Sequence, residues 1–150
     1  MKSLNGSNRV YDGDRARESY HESSHLFAFL HYGIRVDFVE VGDNFGRTRV
    51  PPQDIDDLLG YIVALCAGKA AVEKWHGYKK PNDKAAWRKS DDHCRAYEAA
   101  LKVSNGSHSA ASLLMKWAEC VPDSLVEAHW HELHEPARLL AEKGTLKVVR

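Results

Sequence analysis

Apolar side chains recur along this chain at two spacings, and the spacing predicts which segments are helices and which are strands. A return every three or four positions predicts a first helix over 14–31 and a longer, almost wholly apolar helix over 53–75. Strict alternation of apolar and polar residues over 34–41 predicts a half-buried strand. A second, short strand is expected over 46–50, where two consecutive prolines end it, because proline cannot donate to a β-ladder.

The second half of the chain is predicted to be helical, with breaks. Helical spacing covers 90–103, and a stretch rich in glycine and serine at 104–109 follows it. Two further helical stretches are expected over 110–120 and 123–143. Pro136 is expected to kink or restart the last helix, because proline removes a backbone donor and its ring clashes with the preceding turn.

The ends of these segments indicate how the chain is organised. Residues 1–13 are rich in Asn, Gly, Ser and Asp without any period, which predicts a flexible lead-in to a single domain over 14–150. Asp14 is the expected N-cap of the first helix, Gly33 its expected stop, and 76–82 an expected loop. The predicted fold class is therefore mainly α, with a short β ribbon.

Composition and charge argue against several classes of function. The 21 basic and 21 acidic side chains cancel to a formal net charge of zero, so neither a nucleic-acid nor a membrane partner is expected. No apolar run approaches the roughly 20 residues that cross a bilayer, and the first residues are too polar for a secretory signal. Three widely spaced cysteines without a C-x-x-C pair indicate reduced thiols, so a cytoplasmic location is expected.

The stretch from His21 to His25 matches the pattern H-E-x-x-H inside the first predicted helix. Residues four apart lie on the same helix face, so His21 and His25 can each give an imidazole nitrogen to one zinc ion. Glu22 is rotated from His21 by roughly 100° on a helix of 3.6 residues per turn, which directs its carboxylate toward a bound water. The pattern predicts a zinc-dependent peptidase with Glu22 as its catalytic base.

A catalytic zinc needs a third protein ligand and an open fourth position. The residues alone leave several candidates for that ligand, because neither composition nor spacing chooses among them. The candidates are Asp91, Asp92, His76, His93, His129, His131 and His134.

The segments around the motif resemble the peptidase domain of FtsH-type zinc metalloproteases. Residues 17–25 resemble that family's zinc-binding helix, and 90–96 resemble its S-N-D-L-E-R-A segment. Further resemblances follow in the family's order: the strand after the zinc helix at 36–41, the G-x-T edge segment at Gly46-Arg47-Thr48, the L-x-G-G-R-A-A-E-E helix at 65–73 and the closing L-L-x-K-x-T-L at 139–146. Together they cover most of the chain.

The resemblance implies a metal site and a fold. It implies an FtsH protease-domain-like helical peptidase domain that binds one Zn²⁺ through His21, His25 and Asp92, with Glu22 as the catalytic residue. The aspartate of the family's segment is its third zinc ligand, and it falls on Asp92. Asp91 falls on the family's asparagine.

The resemblance also implies an endopeptidase acting on peptides or unfolded protein, with Gly46, Arg47 and Thr48 on a substrate-binding edge strand. The family's ATPase module and membrane helices have no counterpart in this sequence, so activity independent of ATP is expected. Ser24 stands where the family has glycine. The chain thus resembles a stand-alone relative from bacteria or phages, with a separately encoded protein partner as one expectation and the oligomeric state open.

Other residues have competing interpretations. His129, His131 and His134 could hold a second metal, since His131 and His134 lie three positions apart, but a packing helix anchored by Trp130 is the preferred interpretation. Cys94 and the four tryptophans are expected in the core.

Two alternatives to a peptidase stay open. In the first alternative, the domain is a catalytically weak or inactive zinc-binding module for interaction or regulation. This alternative is motivated by Ser24 at the family's glycine position and by the lack of an ATPase module in this sequence. In the second, it is a helical domain without a metal, in which the five-residue motif occurs by chance.

Overall fold

The computed structural model describes residues 10–77 and 83–148. Within them the chain is mainly helical and carries a small antiparallel sheet, which confirms the predicted class. In chain order the elements are α1 (Ala16–His31), β1 (Phe38–Val41), β2 (Gly46–Arg49), α2 (Leu58–His76), α3 (Asp83–Arg88), α4 (Asp91–Val103), α5 (His108–His129), a 3₁₀ helix (Trp130–Leu133), α6 (His134–Lys143) and β3 (Thr145–Lys147). None of these helices is long and apolar enough to cross a lipid bilayer.

α2 is the central helix, and most of its residues are buried against α1, α4 and α5. It begins at Leu58 because the Asp57 carboxylate accepts a hydrogen bond of 2.7 Å from the backbone N–H of Gly60 and so caps the helix. The predicted start at residue 53 is therefore wrong. The helix ends before Gly77, whose φ of 84° suits a residue without a side chain.

α1 begins at Ala16 and packs against α2 and α6. The predicted N-cap, Asp14, is wrong: Arg15 precedes the helix with a left-handed φ of 63°, and no side chain caps this end. The predicted stop is confirmed, since the helix ends at His31 and Gly33 follows with a φ of 74°.

The sheet has the strand order β2-β1-β3, and both pairs are antiparallel. Of the predicted strand over 34–41, only Phe38–Val41 joins the ladder, although Ile34 and Val36 are buried in the core. β3 was not predicted. Among the described residues β2 has a strand on one side alone, so it is an edge strand with free backbone groups.

α5 corrects the prediction for the second half of the chain. It runs without interruption through the buried Pro122 to His129, so the predicted division into helices over 110–120 and 123–143 is wrong. The expected restart near Pro136 is confirmed, because α6 begins two residues before it. A proline is tolerated there, since the first N–H groups of a helix have no intrahelical acceptor.

Two residues expected in the core lie at the surface. Cys94 is exposed because α4 turns Ala96, Ala99 and Ala100 inward instead. Trp117 is 48% exposed because α5 buries Met115 and Ala118. The short helix α3 was not predicted either.

Residues 1–9, 78–82 and 149–150 lie outside the described part of the chain, and the first two ranges include most of the predicted lead-in and loop. The flexible lead-in and the single domain over 14–150 stay predictions. The described end of the lead-in contacts two helices: the backbone N–H of Tyr11 donates to the hydroxyl of Tyr20 at 2.8 Å, and the indole of Trp75 donates to the Tyr11 carbonyl at 3.2 Å.

Candidate metal centre

Three side chains that can ligate a metal converge where α1 meets α4. Nε2 of His21 and Nε2 of His25 are 3.0 Å apart, and Oδ2 of Asp92 lies 3.4 Å from the first and 3.0 Å from the second. The three ligand atoms therefore lie close enough together to contact one ion. The structure thus brings together the two histidines of the motif and one of the two candidate aspartates as a possible metal-binding triad.

The N-terminus of α4 positions the aspartate. Ser90 caps this helix, because its hydroxyl accepts a hydrogen bond of 3.1 Å from the backbone N–H of His93. The cap places Asp91 and Asp92 in the first turn, where a helix favours negative charge. Asp91 is exposed and stays outside the triad, whereas Asp92 faces the imidazoles.

The ring of His25 is held in place by a hydrogen bond to α2. This ring is buried, and Nδ1 lies 2.8 Å from the backbone carbonyl of Ala64 on α2, a distance at which Nδ1–H donates to the oxygen. That tautomer leaves the lone pair of Nε2 for a metal, as the outer hydrogen bonds of metal-bound histidines do.

α2 approaches the triad closely, and only glycine permits the approach. A Cβ on Gly68 would lie 2.5 Å from Nε2 of His25 and 2.6 Å from Nε2 of His21, closer than real Cβ contacts. Both ligand nitrogens therefore lie directly over the backbone of α2, which limits where an ion can be held.

The carboxylate of Glu22 lies beside the triad and not within it. Its Oε2 is 3.7 Å from Nε2 of His21, and its Oε1 accepts a hydrogen bond of 2.9 Å from the Thr48 hydroxyl. A Cβ on Gly46 would approach the Glu22 Cγ to 2.6 Å, so β2 packs directly on this side chain. Glu22 is buried and has one orientation fixed by the edge strand.

The triad fits a metal of the size of zinc. Bonds of about 2.0–2.2 Å at tetrahedral angles would separate ligand atoms by about 3.3–3.6 Å, and two imidazoles with one carboxylate is a donor set that zinc takes. The observed separations of 3.0, 3.0 and 3.4 Å come close to that edge length. Small movements of the side chains would therefore suffice to hold an ion.

The electrostatics of the triad also favour a cation. Burial by itself would lower the pKa of His25, but the Asp92 carboxylate outweighs it and raises that pKa to about 9. Burial likewise opposes ionisation of Asp92, yet the two imidazoles hold the pKa of its carboxyl well below its ordinary range. The carboxylate thus attracts a positive charge between the rings, which either a proton or a metal ion can supply.

A groove of about 820 Å³ opens onto the triad and Glu22. Its walls include β2 and the residues that follow it, the start of α4, and the apolar side chains of Phe29, Tyr61 and Leu65. A smaller cavity of about 150 Å³ is lined by His21 and Asp92 together with Trp87. Solvent can therefore reach the triad, as a catalytic site requires.

The other candidate ligands lie elsewhere. Nδ1 of His129 lies 3.0 Å from Oε1 of Glu132, and Nδ1 of His134 lies 2.7 Å from the hydroxyl of Tyr20. Across residues 10–77 and 83–148, His21, His25 and Asp92 form the one group in which three ligand atoms converge. The structure brings neither His76, His93 nor the late histidines into a second group of this kind.

Comparisons with known proteins identify no family for this chain. A scan against models of protein families matches none of them, and a search of curated proteins finds no match.

Sequence reasoning missed three contributors to this site. Ala64 acts through its carbonyl and Gly68 through its lack of a side chain, while Thr48 donates a hydrogen bond to Glu22, a role that was not predicted for it. One signal was available: Ala64, Ala67, Gly68 and Ala71 form a stripe of small residues at helical spacing, which permits a second helix to come close. No pattern predicted the bond made by Thr48.

Proposed function

We propose that this chain is a zinc-dependent metalloendopeptidase, in which Zn²⁺ is held by His21, His25 and Asp92. The observation that carries the proposal is the position of the Glu22 carboxylate, 3.7 Å from a triad of converging ligand atoms and at the wall of an open groove. A metal site that served only to hold the fold together would not need a buried carboxylate facing the same groove.

The roles of the residues follow from their positions. Zinc, when bound, supplies a Lewis acid that polarises a carbonyl and lowers the pKa of a water toward about 7. Glu22 takes a proton from the attacking water and returns it to the leaving amine, so that the peptide bond breaks into a carboxylate and an amine. Thr48 is a positioning residue, because its hydroxyl fixes the carboxylate of Glu22 at 2.9 Å.

The edge strand offers a way to hold the substrate. The backbone groups on the free side of β2 can pair with an extended peptide, and residues of β2 both line the groove and touch Glu22. A peptide paired there would pass alongside the metal triad. Because pairing needs an extended backbone, the proposed substrate is a peptide or an unfolded segment of a protein, cleaved without ATP.

A cleavage assay with matched variants tests the proposal. Unfolded casein or a quenched fluorescent peptide is incubated with the zinc-loaded protein and with Glu22→Gln. Loss of the proton carrier is expected to lower kcat by about 10²–10⁴-fold while zinc stays bound. Glu98→Gln, which changes an exposed carboxylate on α4, is the control and should leave activity unchanged.

The same assay separates the alternative function. If the wild type and Glu22→Gln are equally inert and both hold about one zinc per chain, the domain is a zinc-binding interaction or regulatory module and the catalytic proposal is wrong. If neither protein retains zinc in elemental analysis, both functions fail.

A further inference from the structure

The sheet has two faces, and the face away from α1 is rich in positive charge. Antiparallel pairing places Phe38 opposite both Arg49 and Lys147, and Glu40 opposite both Arg47 and Thr145. Side chains alternate along a strand, so these residues share one face. The other face carries Val39 and Thr48, which lie toward Glu22 and the core.

This outer face carries more positively charged side chains than negatively charged ones. Glu40 is its one carboxylate, and it is taken by Arg47 in an ion pair of 2.8 Å. Arg47 also lies over the ring of Phe38, 5.2 Å from the ring centre to Cζ. Arg49 is exposed and makes no ion pair with a carboxylate of the described residues, and Lys147 adds a further positive charge.

The free edge of β2 lies next to these arginines. A peptide that pairs with β2 would place alternate side chains on the outer face, beside Arg47 and Arg49, and the remaining ones on the face of Glu22. Opposite charges on neighbouring strands attract and like charges repel. Four acids line the groove: Glu22 and Asp92 face the metal centre, Glu40 pairs with Arg47, and Asp91 is exposed. Among the described residues, none of the four forms an ion pair with Arg49.

We propose that the edge of β2 selects extended peptides that carry an acidic side chain at the position facing Arg49. The inference rests on the proposed function, since it names the substrate class of the same groove. Basic side chains at that position are disfavoured. The peptide positions one residue to either side face the opposite way, so Arg49 does not discriminate between charges there.

Peptide binding tests this inference without requiring turnover. Fluorescent decapeptides that differ only in having Glu, Gln or Lys at one position, scanned along the peptide, are titrated into zinc-loaded Glu22→Gln protein. Glu is expected to bind about two- to fivefold more tightly than Gln at one position or at two positions that lie two apart, with Lys weaker than Gln. The preference should shrink as salt is added, because the pair is exposed.

Charge reversal at the arginine gives the deciding comparison. In the background of Glu22→Gln, Arg49→Glu should invert the preference to Lys over Glu, and Arg49→Ala should abolish it. The matched control is Arg35→Glu, an exposed arginine outside the groove, which should leave the preference unchanged. An absence of binding, an absence of discrimination between Glu and Lys, or a preference that survives in Arg49→Glu overturns the inference.

Failure of the proposed function gives a different result. If the wild-type protein cleaves none of the peptides and yet the preference inverts in Arg49→Glu, the selectivity stands and the catalytic proposal fails. If the wild type cleaves them all and no substitution at Arg49 changes relative kcat/KM, the catalytic proposal stands and the selectivity fails.

Discussion

α1 takes part in two clusters that contain histidine rings, and the two clusters differ in charge. On one face, His21 and His25 converge with Asp92 from α4. On another, the buried Tyr20 contacts His134 from α6, with its hydroxyl 2.7 Å from Nδ1 of that ring. Both contacts join segments far apart in the chain, and both involve imidazoles, but only the first includes a carboxylate.

The carboxylate reverses the effect of burial. Asp92 raises the pKa of His25 to about 9, whereas burial lowers the pKa of His134 below its ordinary value, with the charge of nearby His131 acting in the same direction. Positive charge is favoured at the first site and disfavoured at the second. A high content of histidine therefore says little about metal binding, and the convergence of nitrogens around an acid says much more.

The largest expected effect comes from removing one histidine from each site. His25→Ala should weaken zinc binding by well over the roughly 100-fold that loss of an outer hydrogen bond can cost, because it removes a ligand itself. His134→Ala should retain about one zinc per chain. Elemental analysis after dialysis and a competition titration with a chromogenic chelator measure both. Equal losses of zinc in the two variants would refute the contrast.

Gly68→Ala tests whether the close approach of α2 is needed for metal binding by the triad. The new methyl group would overlap both ligand nitrogens, so zinc affinity should fall by about 10–100-fold, the range seen when the support of a metal site is disturbed. In excess chelator the variant should still unfold cooperatively but melt no higher than the wild type, because the overlap with the buried His25 ring offsets the roughly 1 kcal/mol by which alanine favours helix over glycine. A variant with unchanged zinc affinity would show that the ion is held elsewhere.

Thr48 separates binding of the metal from catalysis. Thr48→Val removes the donor to Glu22 and should lower kcat by about 10–150-fold, which corresponds to the roughly 1.5–3 kcal/mol of a hydrogen bond to a charged group. Zinc content should not change, and Thr48→Ser should restore most of the activity. Steady-state kinetics measure kcat and KM for each variant. A rise in KM with kcat unchanged would show that Thr48 contacts the substrate and does not position Glu22.

The smallest effect concerns pH at the second site. Because the pKa of His134 is lowered in the folded protein, the unfolded chain binds more protons near the ordinary histidine pKa of about 6.5, and stability falls as the pH drops through that value. In metal-free protein, the wild type should therefore lose more stability than His134→Gln between about pH 7.5 and pH 5.5. Denaturant titrations measure this difference, and equal losses would contradict the assignment.

Local patterns predicted the elements that depend on local interactions. The period of α1 placed His21 and His25 one turn apart, and the apolar run of α2 marked it as central. The triad was harder, because Asp92 lies 67 positions after His25 and no spacing rule joins them. Only the resemblance to a known family predicted Asp92 ahead of its neighbour Asp91.

Features that depend on distant packing were not predicted. β3 is three residues long and becomes a strand only because β1 offers it an edge. α5 continues through Pro122, where the sequence suggested a break, since contacts along the helix outweigh the lost hydrogen bond. The exposure of Trp117 depends on which face of α5 meets α2 and α4, and that is a property of the assembled helices.

The wide separation of the ligands along the chain has a consequence for folding. Bringing His25 and Asp92 onto one ion requires closing a loop that spans 67 positions, which would cost the unfolded chain conformational entropy that the folded chain has already lost. Because the unfolded chain cannot offer the same three atoms together, each tenfold increase in free ion above its dissociation constant would add about 1.4 kcal/mol of stability. The supply of metal would then govern how much of the protein persists as well as how much of it is active.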